Sequence, residues 1–117
     1  MPFLIESALV SWLSENLDVP CFGPVPRNKP DMFLPVERTG GSSSPGIDHP
    51  NISIQVWGTD NRLEGIQLAL AVRDLMNLRA VEIPQVRASQ VNSGPYEFPD
   101  PDSGRARSQI YVNMTTE

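Results

Sequence analysis

The sequence predicts an α+β fold: a mainly antiparallel sheet of about four strands, with two helices packed on one face. Three observations lead there. The stretch Pro50 to Arg79 reads as a buried strand, a tight turn and then the longest helix. An amphipathic segment opens the chain, and an alternating segment closes it. With 117 residues, the chain is long enough for one domain and one core.

In Pro50 to Arg79, Ile52, Ile54 and Val56 point one way, and Ser53, Gln55 and Trp57 the other. Gly58, Thr59 and Asp60 end the strand. Asn61, followed three residues on by Glu64, resembles a capping box at a helix start. In the helix, Leu68, Ala71, Val72, Leu75 and Met76 form the expected core face. Leu63, Ile66 and Leu70 form a second apolar stripe roughly opposite. A helix covering a sheet needs only one such face, so either the N-terminal helix or a neighbouring subunit covers the second.

Pro2 to Leu17 is the first helix, with Ile5, Ala8, Leu9, Trp12 and Leu13 on one face. Pro2 suits a first turn, and Asp18-Val19-Pro20 ends the helix. Val19 to Pro30 is broken by prolines and a glycine, with room for a short extended piece near Cys21 to Val25. Met32 to Arg38 is a strand whose Pro35 places it at an edge or a bulge. Residues 39–50 read as a long Gly/Ser loop, and loops of that length are usually functional or disordered. Glu82 to Val91 is extended, residues 92–106 are turn-rich, and Arg107 to Thr115 is the last strand, with Ile110, Val112 and Met114 inward. The outer sheet face then carries Ser53, Gln55, Trp57, Gln109, Tyr111 and Asn113. That polar face with two aromatics suits a protein contact or solvent.

Composition narrows the function. Twelve prolines, about one residue in ten, imply much irregular connection, and a formal charge of -5 argues against a phosphate-binding surface. The single cysteine, Cys21, allows neither an internal disulfide nor a Cys-based metal site, and reads as a small buried residue. No apolar run is long enough to cross a membrane and no basic leader precedes the first helix, so a soluble intracellular product is expected. Gly40-Gly41-Ser42 is not a phosphate loop, because no Lys-Ser/Thr follows and a strand comes next. Glu97, Asp100 and Asp102 lack the oxygen series of a calcium loop and read as turn formers. His49 has no partner nearby in sequence. A small enzyme using Glu37, Asp48 and His49 is the reading from another class, and no cofactor or metal is expected.

Several pieces in order carry a resemblance. They are the amphipathic N-terminal helix, the Phe33 to Gly41 stretch FLPVERTGG, the lead-in from Asp48 through Pro50 to ISIQVWG, the Leu/Ala-rich helix, and GPYEFPDPDSGR at Gly94 to Arg105. Together they resemble the tail terminator (tail completion, or neck) proteins of long-tailed siphophages infecting actinobacteria. The resemblance implies an α/β subunit of a six-membered ring that caps the tail tube, stops its polymerisation and docks to the head-side connector. It implies a place at the tail-neck junction of the virion after assembly in the host cytoplasm, with DNA passing through the hole without specific binding. A neighbouring neck protein, a head-closure or adaptor ring, is the alternative. Such a ring needs two different complementary patches on each subunit. Candidate interface residues are Gly40, Gly41, Ser42, Ser43, Ser44, Ile47, Trp57, Leu63, Ile66, Leu70 and Tyr111.

Overall fold

The computed structural model describes residues 3–117. The elements run α1 (Ile5–Leu17), β1 (Cys21–Phe22), β2 (Leu34–Ser44), β3 (Ile47–Trp57), α2 (Arg62–Leu78), a 3-10 turn (Ala80–Glu82), β4 (Val86–Glu97) and β5 (Arg107–Thr116). The five strands lie in the order β1-β2-β3-β5-β4, and every pairing is antiparallel except the short β1-β2 one. The α+β architecture is therefore as expected, with one strand more than anticipated. The expected Pro2 start of the first helix lies outside the described residues.

Both helices feed one apolar cluster. Ile5, Leu9 and Leu13 of α1 and Ala69, Val72, Leu75 and Met76 of α2 meet Val36, Ile52, Ile54, Val56, Ile110 and Val112 of the sheet. The even-numbered residues of β3 supply that side, as strand alternation requires. Asp18 ends α1 in a left-handed conformation (φ 53°), its N–H donating to Ser14 O at 3.0 Å. Asn61 caps α2 through Oδ1, which accepts from the amides of Leu63 and Glu64. The reciprocal half of the capping box is absent: the Asn61 amide donates to Thr59 Oγ1, and Thr59 Oγ1 in turn donates to Glu64.

The buried face of α2 is rotated from the expected one. Gly65, Ala69, Val72, Leu75 and Met76 are buried, while Leu68 and Ala71 are only half-buried. Gly65 sets that rotation: a Cβ there would lie 3.1 Å from the Ala106 side chain, so the bare backbone lets α2 settle onto Gly58 at the end of β3. The helix then rides over β4 and β5, and α1 lies over β1 and β2. Thus α1 does not cover the second stripe. Ile66 and Leu70 are half-buried beside Pro95 and Ser108, and Leu63 stays 66% exposed.

On the opposite sheet face Trp57, expected to be open, is 4% exposed. It stacks on Phe33 at 5.2 Å between ring centroids, and Phe22 meets Phe33 edge-on. The Arg105 and Arg107 guanidiniums lie 5.5 Å and 5.1 Å from the Trp57 ring. Arg105 also donates to the carbonyls of Gly58, Pro30 and Asp31, which ties the segment before β2 and the turn before β5 over this end of the sheet. A second small core results, built where alternation alone predicts a wet face.

Candidate assembly surface

The stretch expected as a loop over residues 39–50 is instead the outer half of a β-hairpin. Ser44 pairs with Ile47 around a Pro45-Gly46 turn, Ser43 with Asp48, Ser42 with His49 and Gly41 with Pro50. Gly46 takes φ +79°, which a glycine at that turn position adopts without strain. Serine and glycine are poor strand formers by side-chain chemistry, so composition hid a strand that the backbone ladder makes. From Thr39 to His49 every side chain but that of Asp48 is exposed, making a polar arm along the outer side of the sheet, with β3 paired to β5 as far as Asp48.

Two features fix the arm. At its neck the register shifts between Arg38 and Gly40, leaving Thr39 as an extra residue. There the Arg38 guanidinium holds the Asp48 carboxylate through both oxygens, at 2.5 and 2.9 Å, and its Nε donates to Gly40 O at 3.0 Å. Arg38 keeps the Asp48 carboxyl below the usual carboxylate range, chiefly through that hydrogen bond. Further out, a Cβ on Gly41 would lie 2.0 Å from His49 O, at φ +110°, so only glycine fits. His49 Nδ1 sits 3.2 Å from Thr115 Oγ1, joining the arm to β5.

The proposed interface residues therefore fall in four places. Gly40, Gly41, Ser42, Ser43, Ser44 and Ile47 are together on the arm, and Ile47 is 47% exposed. Leu63, Ile66 and Leu70 lie on α2 beside β4, and Tyr111 lies on the outer sheet face. Trp57 is removed from the set by its burial. Sequence reasoning missed Tyr96, whose ring centroid is 6.4 Å from that of Tyr111 and whose phenol is pushed up by their hydrogen bond. It also missed exposed Leu78 and Val81, which follow the core stripe of α2 out of register.

The charges are mostly spent internally. Arg38, Arg62, Arg73, Arg79, Arg87 and Arg107 each face a carboxylate, at Asp48, Glu97, Asp74, Glu82, Glu117 and Asp100 respectively. Arg105 is committed to carbonyls. Little cationic surface is left for a polyanion. Asp48 and His49 project to opposite faces of β3, and Glu37 is exposed on β2, so the three do not converge. Burial pushes the Cys21 thiol up, away from nucleophilic use.

Among the described residues no group of three or more His, Cys, Asp or Glu side chains is placed to hold a metal ion. No described helix is long and apolar enough to cross a membrane. No family model matches the chain, and no curated protein matches it.

Proposed function

We propose that this chain is a structural virion protein, the subunit of a ring that caps a phage tail tube, ends its polymerisation and joins the tail to the head-side connector. The observation that carries this reading is the β2–β3 arm. It is ordered by backbone pairing and the Arg38–Asp48 clamp, yet its side chains from Thr39 to Ile47 are exposed and the outer edge of Gly40 to Ser44 has no strand beside it among the described residues. A strand edge left open in this way is a ready template for pairing with a neighbouring chain. Exposed Leu63, Leu78 and Val81 add apolar surface on the helical side. The sequence resemblance supplies the class of assembly, and the internally paired arginines suit a hole through which DNA slides without being held.

Light scattering and negative-stain imaging of the purified chain, alone and with tail tube protein, test the proposal. Closed rings that bind the end of the tube are expected. A strict monomer under both conditions would remove it. Rings that bind a portal-side protein and ignore the tube would reassign the chain to head closure.

A further inference from the structure

The sheet has two outer edges, and each is closed along one half and open along the other. On β2, Leu34 and Pro35 are covered by β1, whereas Gly40 to Ser44 pair with β3 alone. On β4 the half from Val91 to Tyr96 is blocked. The Val91 amide donates to Asn77 Oδ1 at 2.8 Å, the register shifts twice before Tyr96, and Pro95 has no amide to offer. From Ala88 to Gln90 the pairing with β5 is regular and the other side is unpaired among the described residues.

The ladder registers set these two open stretches at the same height. Across the sheet, Ser43 pairs with Asp48, Asp48 with Thr116, and Thr116 with Val86. Further in, Gly40 pairs with Asn51, Asn51 with Asn113, and Asn113 with Gln90. The open edges are thus the two ends of the same rows. Strand direction agrees as well. Three successive antiparallel pairings leave β4 running opposite to β2. A second copy turned about an axis along the strands brings its β2 beside β4 antiparallel, with its helices on the same face. The matched rows call for no shift along the axis, and a contact of that kind closes into a ring when its rotation divides the full turn, where a shifted one builds a filament.

We infer that the outer edge of the arm, Gly40 to Ser44, of one subunit adds as a strand to the Ala88–Gln90 edge of a second copy of this chain. The inference rests on the ring reading above and names the contact that builds the ring. The neighbour pairs the outer side of β2, which β3 leaves open from Gly40 to Ser44, through main-chain hydrogen bonds. The facing side chains are serines on the arm and Ala88, Ser89 and Gln90 on β4, with no like charges to repel. The nearest charge, Arg87, is already held by Glu117. Ser89 Oγ, on this edge, is buried without a hydrogen-bond partner.

Disulfide trapping tests the contact. Ser42 pairs with His49, His49 touches Thr115, and Thr115 pairs with Ala88, so exposed Ser42 and Ala88 end one row. Mixing Ser42→Cys with Ala88→Cys under mild oxidant should yield a covalent dimer that neither variant forms alone. The double variant should yield a covalent ladder ending in one closed species. Oligomers seen by light scattering whose mixed cysteines stay unlinked would overturn this contact and leave the ring reading standing. Linking within Ser42→Cys alone, in equal yield, would do the same. A monomer at every concentration, alone and with tail tube protein, would remove both.

Discussion

The Arg38 guanidinium grips both oxygens of the Asp48 carboxylate across the neck of the arm, where the β2 register slips by one residue. Both side chains are between a quarter and a third exposed, so the pair contributes about 0.5–1 kcal/mol rather than the value of a buried one. That energy holds the direction of the arm. Asp48→Asn should leave the global unfolding midpoint almost unchanged and speed amide exchange from Gly40 to Asp48. The pH dependence has a definite sign. The folded carboxyl sits below its ordinary value, so its stabilisation is complete above about pH 4 and is lost as pH falls through the lowered value. Arm exchange in the native chain, corrected for its intrinsic rate, should rise only at that acid end. Asp48→Asn should abolish the step.

Gly41 and Gly40 are adjacent and differ in what holds them. Alanine at position 41 would place a Cβ 2.0 Å from a main-chain oxygen, while at position 40 nothing lies within 4 Å. Gly41→Ala should therefore break the pairing with β3, at a local cost of about 1–3 kcal/mol, and Gly40→Ala should cost less. Exchange protection at Ser42 to His49 reads the difference. Equal behaviour of the two variants would show that cross-strand closeness does not set the arm.

The helices, the central strand and the closing strand were legible because a single period governs each. Ile52, Ile54 and Val56 alternate, Ile5, Leu9 and Leu13 recur every turn, and all six are buried. The arm was not legible, because Gly40 to Ser44 carry no side-chain signal and their order comes from main-chain pairing and one distant ion pair. Trp57 was misjudged for a related reason. Its neighbours on the outer face are polar, and its cover comes from Phe33, Arg105 and Arg107, which no local pattern links to it. In α2, Gly65 turned the core face away from the expected one by allowing a backbone approach that hydrophobicity does not record. Of the candidate interface residues, Gly40 to Ser44 and Ile47 fall together on the arm, and the open edges of β2 and β4 are visible only in the ladder register.

Trp57 and Phe33 anchor the outer cluster, and its loss should be felt throughout the fold. Trp57→Ala should cost about 3–5 kcal/mol in denaturant unfolding, the range for a fully buried large aromatic. Trp57→Phe keeps the stacking with Phe33 and should cost less. Arg105→Ala should release the segment ending at Asp31 as well, because three carbonyls lose their donor. Proteolysis between Pro24 and Asp31 reads that release.

Leu63 and Met76 stand on one helix and should answer different questions. Met76 is fully buried, and Met76→Ala should cost about 2–5 kcal/mol whatever the state of assembly. Leu63 is 66% exposed, and Leu63→Ser should change monomer stability by no more than about 0.5 kcal/mol. If a neighbour or the tube covers the second stripe, that same substitution should weaken association with no loss of fold. Circular dichroism melts and light scattering of the two variants separate the effects. A Leu63→Ser chain that assembles as well as its parent would strike this residue from the interface and leave the arm and β4 to carry it.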